Sequence, residues 1–264
     1  MVFFITLFKA LLTQIIGLFG IFFVFGFVLY KLQEWTQKNY VRSIGWRGLY
    51  WTAWFGTPIH EWGHVFFAKL FRHQVQAVAL FKPNQQTGGL GYTEHSYNSK
   101  SFYQSAGNFF VGAAPLIWGS LILFLMLYFL VPNGKEIFTN LKNTPDSLVS
   151  VWQMLKLFFI NLFTPENLHA WNFWLFLYLS FCIASHVAPS KPDQKQMWRG
   201  FLMIVLVLTV INILTLLMKI NITDYILKLN NYLTTLVTIF IYTTLISFLH
   251  FLLSTIILRP FGRK

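Results

Sequence analysis

The chain has 264 residues, of which 56% are hydrophobic, 19% aromatic and only 11% charged, a balance that excludes an ordinary soluble domain. Its formal charge of +12 comes from lysines and arginines scattered over loops and helix ends. That scatter excludes a nucleic-acid footprint and points to membrane lipids with anionic headgroups as partners. A single cysteine, Cys182, rules out an intrachain disulfide and a four-cysteine zinc site.

Taken in chain order, apolar windows of about twenty residues predict six transmembrane helices, at 10–30, 48–71, 107–131, 168–188, 200–218 and 232–258. The first run has no small-residue cleavage site after it and reads as a retained span. The second is the least regular. After it comes the polar stretch 74–103, in which Val75, Ala77 and Ala79 alternate with Gln74, Gln76 and Val78, and Pro83, Asn84, Gly88 and Gly89 supply turn chemistry. A small β-hairpin or sheet is expected there. The apolar but short stretch 148–163 carries Gln153 and Lys156 and suits an interfacial helix. The expected fold is therefore an all-α polytopic membrane protein of about six transmembrane helices with a small β insertion after the second. It forms one membrane-embedded domain over 1–264, with its core at about 48–200.

Loop charges orient this arrangement. A cytoplasmic C-terminus, with Arg259, Arg263 and Lys264, brings Lys69, Arg72, Lys82, Lys100, Lys191, Lys195 and Arg199 to the same side. One loop dissents, because Lys31, Lys38, Arg42 and Arg47 then lie outside. A multi-pass protein of the cell (plasma) membrane is the expected localisation. Nothing in the pattern favours one oligomeric state.

The second span contains PIHEWGHVFF, residues 58–67. Residues i and i+4 share one face of a helix, so His60 and His64 can offer imidazole nitrogens to a single ion, while Glu61 projects about 100° away and can act on water at that ion. With seven histidines in the chain, chance alone yields such a match only ~0.003 times. The alternative is a pair of packing histidines beside a satisfied carboxylate. Charged groups at mid-membrane cost roughly 2.5 to 3.5 kcal/mol each, and a bound cation offsets that directly. A catalytic zinc site needs a third protein ligand. Asp193, in SHVAPSKPDQKQ, qualifies if residues 187–195 dip back into the bundle, which Pro189 and Pro192 favour by forbidding a continuous helix. His186 is the competing third ligand, with Glu94 or His95 behind it.

On these residues the sequence resembles the site-2 protease family of intramembrane zinc metalloproteases. The resemblance rests on HEWGH at 60–64, TGGLGY at 87–92, SAGNFFVGAAP at 105–115 and a later aspartate, and it covers roughly 48–200. It implies that one zinc is held by His60, His64 and the late aspartate, and that Glu61 is the general base. It also implies that Asn108 hydrogen-bonds the substrate backbone, where close helix packing through Gly107, Gly112, Ala113 and Ala114 is the alternative. The family presents its aspartate as Leu-Asp-Gly, whereas here Pro192-Asp193-Gln194 stands in its place, which marks a divergent branch. The expected function is hydrolysis of a peptide bond in a membrane-spanning protein or peptide. A membrane-embedded hydrolase of a lipid or lipidated peptide, or a non-catalytic metal-binding scaffold, is the alternative.

Overall fold

The computed structural model of the chain describes residues 2–142, 148–220, 222–228 and 230–258. The elements in order are α1 (Val2–Ile44), α2 (Tyr50–Leu70), β1 (Gln74–Ala79), β2 (Tyr92–Ser96), α3 (Phe102–Gly112), α4 (Ala114–Leu130), α5 (Gly134–Lys142) and α6 (Leu148–Leu162), then α7 (Pro165–His169), α8 (Trp171–Ala184), α9 (Lys191–Leu217), α10 (Thr223–Leu227) and α11 (Asn230–Leu258). The architecture is that of an all-α membrane protein with one two-stranded sheet. Among the described residues α1, α9 and α11 are long and apolar enough to cross a bilayer, and α3 with α4, bent by 55° at their junction, make a fourth if counted as one broken span.

Six full spans are thus not what the helices provide. The apolar stretch at 168–188 yields only the 14 residues of α8, ~21 Å at 1.5 Å per residue against a ~30 Å hydrocarbon core. Helix α2 has 21 residues, but His60, Glu61, His64 and Lys69 interrupt its apolar run. Two other boundaries move as well. The first helix runs from Val2 to Ile44 rather than over 10–30, and the fifth apolar stretch begins its helix at Lys191, not at 200. The expected interfacial helix is α6, whose Phe158 and Leu162 are buried in the main apolar cluster.

Contacts along α1 fix the directions of its neighbours. Phe22 and Phe25 meet Phe240, Trp35 meets Phe251, and Ser43 Oγ donates to the Leu258 carbonyl, so α1 and α11 run parallel. Phe23 meets Trp198 and Phe201 while Gln14 bonds Asn212, so α9 runs antiparallel to both. Parallel first and last helices require an odd number of crossings. At least one of the three apolar stretches between Ile44 and Lys191 therefore does not traverse fully. The same geometry corrects the orientation of the dissenting loop. Lys31, Lys38, Arg42 and Arg47 gather at the end of the bundle where α11 finishes and α9 starts, on the same side as Lys191 and Lys195. Arg259, Arg263 and Lys264 lie outside the described residues.

Close approach between α3 and α9 is made possible by glycine. A Cβ at Gly200 would overlap the backbone of Phe109, and one at Gly112 would sit 2.5 Å from the Asp193 carbonyl. Small residues at such crossings let backbones touch where larger side chains would hold them apart. Farther along, Gln14 exchanges side-chain hydrogen bonds with Asn212 at 3.0 and 2.8 Å and also donates to Thr223. This satisfies buried amides that lipid could not. The hairpin forms as expected: β1 and β2 pair antiparallel, with a bulge between Val75 and Ala77, and Val75, Ala77 and Ala79 turn inward while Gln74, Gln76 and Val78 stay exposed. It lies against α2.

Candidate metal centre

His60 and His64 occupy successive turns of α2 on one face, as their spacing dictates. Their Nδ1 atoms lie 2.6 Å from the His186 carbonyl oxygen and 2.9 Å from that of Val111. A carbonyl only accepts, so each Nδ1 carries the hydrogen, and in the neutral rings each Nε2 is left with a lone pair. Those two Nε2 atoms are 3.2 Å apart. Two acceptors so close repel each other unless a cation lies between them.

The third member is Asp193. Its Oδ2 lies 3.5 Å from His60 Nε2 and its Oδ1 lies 3.3 Å from His64 Nε2. All three ligand atoms fall within 4.8 Å of one another, and the group can hold a metal ion. Tetrahedral bonds of about 2.0–2.1 Å would place neighbouring ligand atoms ~3.3 Å apart, so the donor set fits a zinc-sized ion. Asp193 does not arrive through a dipping loop, however. The chain breaks only over 185–190, between α8 and α9, and Asp193 is the third residue of α9. Ser190 caps this helix: its Oγ accepts from Asp193 N at 3.4 Å, and Asp193 Oδ2 accepts from Ser190 N at 2.7 Å. Pro192 sits in the first turn, where no amide hydrogen is needed. The cap therefore fixes the carboxylate that faces the histidines.

The segment 185–190 is pinned from two other helices. From α1, Gln37 Nε2 donates to the Ser185 carbonyl and Gln33 Oε1 accepts from Ala188 N; from α11, His250 Nδ1 lies 2.8 Å from Ser185 Oγ. His186, the competing third ligand, takes another part. Its carbonyl orients His60, and its own ring donates through Nδ1 to the Cys182 carbonyl. Its side chain is not one of the three clustered donors. Glu94 is exposed on β2.

Glu61 is buried at 6% exposure, and its Oε2 accepts from Thr93 Oγ1 at 2.7 Å. Thr93 belongs to β2, so the sheet supplies the group that orients this carboxylate. Gly91 makes the approach possible, since a Cβ there would meet Thr57, Glu61 and the Ala79 carbonyl within about 3 Å. The TGGLGY segment is thus packed against the histidine helix. A cleft of about 470 Å³ opens between them, lined by His60, Glu61, His64, Asp193 and the strand-bearing segment 87–93.

Asn108 departs from expectation. It is 2% exposed, donates to the Ser105 carbonyl, accepts from Gln196 Nε2 and does not line the cleft. Helix packing accounts for it, with both ends of its amide already engaged. Its partner Gln196 also reaches His95 Nε2 at 2.9 Å. His95 Nδ1 lies 3.1 Å from His73 Nδ1, and His73 Nε2 donates to the Gln104 carbonyl. Burial holds the pKa of both His73 and His95 below the ordinary histidine value. The chain of bonds needs both rings neutral, because each offers one acceptor nitrogen.

Thr93, Ser190, Gln33 and Gln37 were not marked by sequence pattern. Only the serine carried a local signal, as Ser-x-x-Asp ahead of an apolar run is a helix-start signature. Compared with family models, with curated proteins and with solved structures, the chain matches none.

Proposed function

We propose that this chain is an intramembrane zinc metalloprotease of the site-2 protease type, cutting a peptide bond in a membrane-spanning substrate. The observation that supports it most is the convergence of His60, His64 and Asp193 beside Glu61 in one cleft. Helix packing alone would not require two Nε2 atoms and a carboxylate to converge on one point, as a metal site does.

When bound, zinc supplies a Lewis acid that polarises the scissile carbonyl. The protein's own groups do the rest. A peptide bond inside an intact helix is shielded, so the substrate must unwind to enter the cleft, one wall of which is the 87–93 segment, a turn leading into the start of β2. Glu61, held by Thr93, takes a proton from the attacking water and passes it to the leaving amine. Both histidines are locked in one tautomer and orientation by the His186 and Val111 carbonyls. The finer topology belongs to the same proposal: α2 and α8 complete the membrane domain around 48–200, and the basic end of the bundle, with the C-terminus, faces the cytoplasm.

The test uses purified protein loaded with zinc and a transmembrane peptide as probe. Wild type is expected to yield two shorter peptides, and Glu61→Gln to yield none while keeping its metal. Release of fatty acid from phospholipid vesicles without peptide cleavage would make it a lipid hydrolase. Stoichiometric metal with neither product would make it a scaffold.

A further inference from the structure

Helix α1 brings Gln33 and Gln37 to the cleft that holds the metal ligands, one turn apart and partly buried. Each amide is tied at one end only. Gln33 Oε1 accepts from Ala188 N at 3.1 Å, and Gln37 Nε2 donates to the Ser185 carbonyl at 3.1 Å. These partners fix which way each amide is turned, because a backbone N–H can only donate and a backbone carbonyl can only accept. The ends left over are opposite in kind: the amide hydrogens of Gln33 and the oxygen of Gln37, neither with a hydrogen-bond partner among the described residues. They are what the two side chains have left to offer the cleft they line.

Side chains at i and i+4 on a helix start ~5–6 Å apart. A residue in an extended strand presents its own N–H and C=O on one edge, as in a hydrogen-bonded antiparallel pair. A donor and an acceptor one turn apart match that edge. We propose that Gln33 and Gln37 form a backbone clamp, in which Gln33 donates to a carbonyl and Gln37 accepts from an N–H of an extended peptide lying in the cleft. The clamp rests on the proteolytic reading above and narrows it to an amide substrate, since a glycerolipid ester has no N–H to give Gln37. It also ties substrate to the metal centre. The same two amides hold the segment 185–190 that leads into α9 and its Asp193, so a peptide drawn onto their free ends bears on that helix start through their anchored ends.

The experiment separates the anchor from the clamp by choice of variant. Gln33→Glu keeps an acceptor for Ala188 N and removes the free donor, while Gln37→Lys keeps a donor for the Ser185 carbonyl and removes the free acceptor. Three probes are titrated into full-length zinc-loaded protein in detergent. They are acetohydroxamate, which reports the metal alone, a hydroxamate carrying a Leu-Phe-amide tail, and the same compound with its first tail N–H replaced by an ester oxygen. The expected result is that wild type prefers the tailed probe and each variant weakens it roughly tenfold, the loss of one hydrogen bond, with metal content and acetohydroxamate affinity unchanged. Wild type should also discriminate against the ester, and Gln37→Lys should not. Undiminished binding of the tailed probe by both variants overturns the clamp and leaves the protease reading intact. Failure of every hydroxamate to bind zinc-loaded wild type overturns that reading and the clamp together.

Discussion

His60 and His64 face each other through Nε2 atoms 3.2 Å apart while both Nδ1 atoms are committed to backbone carbonyls. Neither nitrogen can donate to the other in that tautomer, so a cation is the natural partner for both. Removing the metal is therefore expected to destabilise the fold. A ligand present at about 100 times its Kd contributes ~2.7 kcal/mol, so chelation should lower the melting temperature and added zinc restore it. His64→Ala and Asp193→Asn should each lose the metal by elemental analysis. A chelator that strips zinc from wild type without moving the transition would show that the two lone pairs are satisfied some other way.

Glu61 and Thr93 form the second testable pair. Glu61→Gln should keep the metal and lower cleavage of a transmembrane reporter by about 10²- to 10⁴-fold, the usual contribution of a general base. Thr93→Val removes the hydroxyl that donates at 2.7 Å and keeps the shape. It should lower the rate by a smaller factor, and in the Glu61→Gln background it should add little, because the two act as one unit. Additive losses would mean that Thr93 acts by another route.

The His73 and His95 pair predicts a pH dependence of stability. Both pKa values are lowered in the fold by burial from the ordinary 6.5. A histidine with a depressed folded pKa binds its proton more readily when unfolded, so stability is full above about 6.5 and is lost as pH falls below it. Melting in detergent should be flat from pH 8 to 7 and decline towards pH 5. Replacing both rings, as His73→Gln with His95→Gln, should shrink the decline. An unchanged slope in that double variant would place the sensitive group elsewhere.

The α3 and α9 crossing gives a packing prediction. Gly200→Ala forces a methyl into the Phe109 backbone, and overpacking of this kind costs about 1–3 kcal/mol. Because the strained helix also carries Asp193, metal occupancy should fall with stability. Gly20→Ala is the control: its nearest neighbour would be Ile16 Cγ2 at 3.8 Å, an ordinary contact. It should be neutral or mildly stabilising in the same melt.

Much of the candidate site was legible because it is local. His60, Glu61 and His64 lie within five residues, so the 3.6-residue period alone brings the imidazoles to one face. The hairpin at 74–96 was legible for the same reason, through alternation and turn residues. Asn108 stood open between packing and substrate contact because a small-residue helix looks alike whether it packs or binds, and its bonds to Ser105 and Gln196 favour packing. The count of six went beyond what the helices show, because hydropathy windows cannot see direction: the window at 48–71 is interrupted by polar residues and that at 168–188 yields a helix of only 14 residues.

By itself the sequence determined that the chain belongs in a membrane, that a hairpin follows the histidine helix, and that two imidazoles and a carboxylate share one and a half turns. These are statements about periodicity and composition, which act over a few residues. The tertiary structure alone decided the rest. It set α9 antiparallel to α1 and so brought Lys31, Lys38, Arg42 and Arg47 to the same end as Lys191 and Lys195. It chose Asp193 over His186 by starting a capped helix at Lys191 and seating it against Gly112. It turned Thr93 towards Glu61, and Gln33 and Gln37 towards the segment 185–190 that leads into α9. Each of those contacts joins residues far apart in the chain, where only the packing of helix against helix and of sheet against helix can bring them together.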